Sequence, residues 1–353
     1  MSATEPAVRF TDVSDRLRQL AMAGVVAVHC TLPFGFGTSD HAVNQVGKFA
    51  NGMFFMISAY LWQLRDGSSH PGTYLLNRLR SLALPYAVWA GITTVLVTGW
   101  FYGSANQDFS VSNVLEFVFV HTAMWFIPQM LLTLYLVSVI VRKIGRAYSG
   151  SLFLAITVFY GVNHHADWIE IGHTEAPLGF ALFCWAGYVL FEREDQLKRQ
   201  LTRVPASVYI AALIVTFVAA WAEGVYLQDD DSLRITSVLY TIVACAALLS
   251  IAISRPLRGR ESPRGVSYGI YLIHTVVMLT IVLAFAFFID NEWQSQVSIP
   301  WWINIPLRLL LIAFVWEVSR RIALLLHRCG FGRLAGGPAG SRGTQLQSAI
   351  PSP

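Results

Sequence analysis

The sequence predicts an all-α, polytopic membrane protein of about ten transmembrane helices, with both termini in the cytoplasm. Three observations predict it. Apolar residues make up 55% of the 353-residue chain and charged residues only 13%, about half the charged share of a typical soluble domain. So few charges cannot keep a globule of this size dissolved. Ten apolar stretches reach or approach the ~20 residues that a helix needs to cross a bilayer. Finally, of the 25 Lys and Arg, all but Lys48, Arg234 and Arg308 fall on one side when the loops between those stretches alternate, as the positive-inside rule requires. A soluble enzyme is disfavoured from the outset. Disorder is excluded by the lack of charge, and a disulfide scaffold by the presence of only 4 Cys.

The stretches are 19–37, 47–63, 82–102, 123–141, 150–163, 178–191, 206–225, 235–254, 266–289 and 304–326. The fifth and sixth are short and must borrow flanking polar residues to cross. Asp40, Asp108, Asp167, Glu223, Asp229, Asp230, Asp231 and Asp290 all lie in or beside the loops of the outer side. The net charge of +4 therefore reports orientation, and a cytosolic face that attracts anions and membrane lipids, rather than nucleic-acid binding. No cleavable signal peptide is read, because no small-residue site interrupts the first apolar run. Cys30, Cys184, Cys245 and Cys329 have no CxxC spacing and read as small apolar packing residues. No internal repeat is visible. The expected organisation is one transmembrane domain over 14–329, a flexible cytosolic segment at 1–13, and a Gly/Pro/Ser-rich cytosolic tail at 330–353 with nothing to bury.

Inside a membrane, polar groups carry the functional information, since each costs several kcal/mol unless paired or wetted. In the first helix, SDRLRQLAMAGVVAVHC places His29 eleven residues after Arg18. That spacing is ~16 Å along the axis and nearly whole turns, so both residues share one face with Met22 and Val25 between them. A charged mouth thus leads along one stripe to a buried imidazole. The competing reading is a histidine bonded to another helix beside a routine interfacial arginine. In ESPRGVSYGIYLIHTVV, His274 lies at matching depth, with Tyr271 on or near its face. Two histidines at one depth either line a common cavity or, in the blander reading, His274 bonds a neighbouring carbonyl.

Smaller signals follow in chain order. Glu116 is either a second acid/base near the outer face or, with Asn113 three before it, part of a capping-box-like helix start. The loop NHHADWIEIGHTE gathers His164, His165, Asp167, Glu170 and His173, but no spacing matches a zinc pattern, and a solvated loop is expected with no metal. Glu317 with Arg321 is an i,i+4 structural pair.

Five segments in order resemble the integral-membrane acyltransferases of type 3. They are the arginine, ten residues, histidine spacing of Arg18 and His29, then MFFMISAYLW (53–62) and YLLNRLRSLALPYAVWA (74–90), and lastly MWFIPQMLLTLYL (124–136) and SYGIYLIH (267–274). Together they cover most of residues 14–275, and LPYAVW is most similar to the polysaccharide O-acetyltransferase branch. The chain departs from the family pattern in three places. Ala59 stands where glycine is usual, the second arginine of the cytosolic RxxR is displaced to Arg80, and Ala123 replaces a histidine two before Trp125.

The resemblance implies transfer of an acyl group, most simply acetyl, from cytosolic acetyl-CoA to a hydroxyl of a glycan, lipid-linked sugar or glycolipid at a bacterial inner membrane. The coenzyme is a co-substrate, and no permanently bound cofactor is expected. An alcohol needs a base to take its proton, and histidine suits the task. His29 is the expected catalytic residue, as base or as transient acyl carrier, with His274 beside it. Arg18, Arg78 and Arg80 are the expected coenzyme A phosphate ligands, since guanidinium forks match phosphate oxygens. For Arg78 and Arg80 the alternative is topology and headgroup binding. Trp125 packs against the acceptor or sits in an interfacial belt, and Glu116 is the remaining substrate-side candidate. The rival class is a proton-coupled transporter or exporter, against which stand the absence of a carboxylate placed at mid-depth and of an inverted repeat.

Overall fold

A computed structural model describes residues 10–30, 38–66, 70–103, 110–254, 266–288 and 300–335. These residues are helical almost throughout, and no strand occurs among them. The helices are α1 (Phe10–His29), α2 (Thr38–Gly47), α3 (Phe49–Asp66), α4 (Pro71–Gly103), α5 (Val111–Glu116), α6 (Phe126–Ile144), α7 (Arg146–Ala166) and α8 (Ala181–Glu192). They continue with α9 (Glu194–Arg203), α10 (Ala206–Leu227), α11 (Ile235–Ser254), α12 (Val266–Phe288) and α13 (Trp301–Arg328).

Each of the ten apolar stretches overlaps a helix among the described residues, and five helices are long and apolar enough to cross a membrane by length and composition: Pro71–Gly99, Ala123–Ile144, Ala206–Leu227, Ile235–Ser254 and Val266–Phe285. The protein is an all-α integral membrane protein. Its α10 turns Val208, Ile210, Ile214, Val215 and Val218 outward, an apolar face that only lipid or another apolar surface can cover without cost. Two helices were not anticipated: the short polar α2, and α9, whose charged residues follow α8 without a loop, while the cap of α5, Ser110, lies three residues before the helix start read at Asn113–Glu116.

The expected ends of the domain need correction. Helix α1 begins at Phe10, inside the segment expected to be loose, and Phe10 and Val13 are buried. Glu194 holds this start, accepting from the Phe10 backbone N–H at 2.7 Å and from the Tyr60 hydroxyl at 2.7 Å. At the other end the tail does not loosen at 330. Residues Gly332–Ala335 form a 3-10 turn, Ala335 is buried, and Trp89 Nε1 donates to the Leu334 carbonyl at 2.9 Å. The rest of both expected flexible segments, 1–9 and 336–353, lies outside the described residues. The first apolar stretch also differs: its helix spans Phe10–His29, and 31–37 lie outside the described residues.

Close approaches set the helix positions around the site. A Cβ on Gly24 of α1 would lie 2.9 Å from both the Gly47 carbonyl oxygen and the Ala50 side chain, so α1 seats against the α2–α3 junction by backbone contact. The segment between α5 and α6 is broken on purpose. It runs as a π-helical turn, Phe117–His121, then an extended Thr122, then a 3-10 turn, Ala123–Trp125. Thr122 caps the second turn by accepting from the Met124 N–H at 3.2 Å. Tyrosines from other helices brace the break: Tyr271 of α12 donates to the Ala123 carbonyl, which also accepts from the Phe126 N–H, and Tyr86 of α4 donates to the Met124 carbonyl at 2.8 Å. Irregular backbone inside a membrane protein is tolerated only with such partners, and here it swings Trp125 inward.

Candidate active site

His29 is the last residue of α1 and faces a small cavity of roughly 40 Å³ whose polar lining is His29, Asn51, Trp125, His173, Asp230 and Ser232. Val25 also lines it, and Met22 is fully buried, so the stripe between Arg18 and His29 does face the interior. His274 of α12 is fully buried, and its ring centroid lies 5.6 Å from that of His29. Its Nδ1–H donates to the Tyr271 carbonyl at 2.5 Å. That bond fixes the neutral tautomer and leaves the Nε2 lone pair available, and Nε2 has no hydrogen-bond partner among the described residues. The carbonyl-bonded reading of His274 is what the structure shows, and the ring packs beside His29 without itself lining the cavity.

The cavity's other wall comes from two loops, 167–180 and 228–234. Asp230 accepts from His41 Nδ1 at 2.9 Å and from Asn44 Nδ2 at 2.8 Å, and lies 3.6 Å from Lys48 Nζ. Burial pushes its carboxyl up, but Lys48 and these hydrogen bonds win and hold it below the ordinary range. Asp231 accepts from both the backbone N–H and Nδ1–H of His173, at 2.7 and 2.9 Å. His173 in turn sets its ring edge-on to Trp125, with centroids 5.2 Å apart.

The three cations that broke the charge segregation all belong to this end of the bundle. Lys48, Arg234 and Arg308 are 2%, 0% and 1% exposed, so none presents charge to water or headgroups. Arg308 Nη1 pairs with Asp40 at 2.7 Å and Nε donates to the Cys30 carbonyl at 2.8 Å, just past His29. Arg234 donates to the Asp231 carbonyl at 3.2 Å. They are structural cations, and the positive-inside rule concerns solvated ones.

The other candidates stand apart. Arg18 pairs with Asp15 on its own helix. Arg78 lies over the Tyr74 ring, 5.1 Å from its centroid, and Tyr74 stacks on Trp62 at 4.2 Å. Arg80 is exposed, and none of the three arginines lines the cavity. Glu116 is exposed and does not line the cavity. Nor does Asn113 begin α5: the cap is Ser110, whose hydroxyl accepts from the Asn113 N–H at 3.0 Å. Trp125 is buried at the cavity and is no belt residue. Sequence reasoning missed Asn51, Asp230, Asp231 and Ser232, and read His173 as part of a solvated loop. The only signal was a histidine-rich loop and an Asp triplet, whose partnership depends on a contact 58 residues apart.

Paired histidines under an inserted tryptophan gain their meaning from comparison. The model of the acyltransferase 3 family, described as an acyltransferase domain, matches residues 13–318. The chain belongs to that family. No curated protein and no solved structure matches it. In this membrane acyltransferase the departure at Ala59 has a structural answer. The residue is fully buried, and Gly187 of α8 sits against it, with the Met56 carbonyl so close that a Cβ at 187 would collide. The close helix approach is kept, and the glycine that permits it stands on the partner helix.

Proposed function

We propose that this acyltransferase is an O-acetyltransferase of a bacterial inner membrane, moving acetyl from cytosolic acetyl-CoA to a hydroxyl of a glycan, lipid-linked sugar or glycolipid. The carrying observation is His29, backed by His274 at 5.6 Å, lining a cavity with an aromatic plate and several hydrogen-bonding groups on its other wall. Trp125 offers an apolar face to a sugar ring, while Asn51, Ser232 and Asp230 offer partners to its hydroxyls. His29 is the reacting imidazole. It takes a proton from the attacking hydroxyl or carries the acyl group as an acyl-imidazole, and His274 supports it from the adjacent helix. Arg18, Arg78 and Arg80 hold coenzyme A phosphates on the cytosolic face, with Arg78 oriented by its seat on Tyr74.

The test is release of free coenzyme A by the purified protein in detergent with acetyl-CoA, and by its His29→Gln variant. Glutamine keeps a polar side chain of similar reach but has no useful basicity. It should lower transfer by ~10²–10⁴ while leaving the thermal transition in place. Near-native transfer by His29→Gln would make the histidine structural. Activity that appears only in sealed vesicles with a gradient would instead mark a transporter.

A further inference from the structure

Two imidazoles, His29 and His173, line this cavity and a third, His274, lies 5.6 Å from His29; of the three only His173 is backed by a carboxylate among the described residues. His274 is fixed by a backbone carbonyl, which sets a tautomer but adds no charge to balance an imidazolium. His173 differs. Its Nδ1–H and its backbone N–H both donate to one oxygen of Asp231, at 2.9 and 2.7 Å. Asp231 is 6% exposed and is itself anchored, its other oxygen accepting from the Leu233 N–H at 2.7 Å. Gln129 of α6 pins the same loop by donating to the His173 carbonyl at 2.8 Å and the Ala176 carbonyl at 2.6 Å. The ring therefore cannot swing freely, and it lines the cavity against Trp125. A loop clamp alone would need only the backbone bond to Asp231. The added Nδ1–H bond does what a carboxylate does behind a catalytic imidazole: it selects the tautomer with a free Nε2 and stabilises the cation formed on protonation.

We propose that His173, positioned by Asp231, is the general base that takes the proton of the acceptor hydroxyl, leaving His29 to act on the acyl group. This rests on the acyl-transfer reading above. A ring nitrogen of His29 first bonds the acyl carbonyl carbon as the bond from that carbon to the coenzyme A sulfur breaks, and the sulfur leaves with the electron pair and takes up a proton from water. The acceptor O–H proton then passes to His173 Nε2 as the oxygen forms its new bond to the acyl carbon, and the bond from that carbon to the His29 nitrogen breaks, which returns its electron pair to the neutral imidazole. The imidazolium of His173 then returns its proton to water at the loop end of the cavity, so atoms and charge balance. His173 is the catalytic residue of this step and Asp231 a positioning residue.

The experiment compares two nucleophiles in detergent with acetyl-CoA: glycerol, whose hydroxyls need a base, and hydroxylamine, which attacks without one. In His173→Gln the amide can still donate to Asp231, so the loop should hold. Transfer to glycerol should fall by ~10²–10⁴, with transfer to hydroxylamine within about threefold of native, because that step needs no proton abstraction. Asp231→Asn keeps an acceptor for Leu233 but reverses the favoured tautomer, and should show the same selective loss. His29→Gln should lose both activities. Equal loss of both nucleophiles in a folded His173→Gln protein, or loss of neither, would overturn the assignment. A native protein inert toward both would overturn the acyl-transfer reading itself, and this inference with it.

Discussion

The Arg308 guanidinium and the Asp40 carboxylate meet at 2.7 Å, with side chains 1% and 3% exposed, and join α13 to α2 behind the residue that follows His29. Asn44 completes the group by accepting from the same guanidinium. Removing one member of a buried pair strands the other, at a cost of about 3–5 kcal/mol. Arg308→Ala should therefore lower the thermal transition in detergent sharply, and Asp40→Asn should do the same. A transition unchanged by either would show that the pair is wetted.

Gly187 is expected to be intolerant of any side chain. Its missing Cβ leaves room for the Met56 carbonyl and for Ala59. Gly187→Ala should cost about 1–3 kcal/mol by overpacking. Restoring glycine at 59 should recover only part of that, because the Met56 carbonyl belongs to the backbone. Full recovery in the Gly187→Ala, Ala59→Gly double variant would place the conflict at the side chain alone.

Arg78→Ala should raise the KM for acyl-CoA more than it lowers kcat, since it removes a contact to a remote phosphate rather than to the reacting atoms. Tyr74→Leu should act in the same direction, because the ring seats the guanidinium. An unchanged KM in well-folded Arg78→Ala protein would take the residue out of the donor site.

Acid should separate Asp231 from its asparagine variant. Burial pushes the Asp231 carboxyl up, but His173 and His164 beside it prevail and hold it well below the ordinary range. A carboxyl whose folded pKa is depressed stabilises the fold fully above its unfolded pKa of about 4, and loses that contribution as pH falls through the folded value. The stability difference between native and Asp231→Asn protein should close only below about pH 4. Chemical denaturation across pH would show it, and a difference that persists undiminished well below pH 4 would contradict the pairing.

Topology is open to direct test. Reporter fusions within 192–204 and after 340 should report cytoplasm, and a fusion at 229 the outside. A cytoplasmic signal at 229 would invert the bundle and move the His173 wall to the donor side.

By itself the sequence determined the membrane class, the approximate places of most helices and the stripe from Arg18 to His29, because these depend on local quantities: apolar run length, charge in adjacent loops and the 3.6-residue period. It also carried the family, through five short motifs in order. It could not determine that His173, held by Asp231, faces the same cavity as His29, nor that Lys48, Arg234 and Arg308 are buried. Those facts depend on loops folding back over the bundle end, where contacts join residues with no periodic relation. The inward turn of Trp125 was equally out of reach, since it follows from a helix break braced by Tyr86 and Tyr271 on distant helices. Local patterns choose which segments become helices. The pairing of buried polar groups, each costly when left alone, decides what those helices bring together.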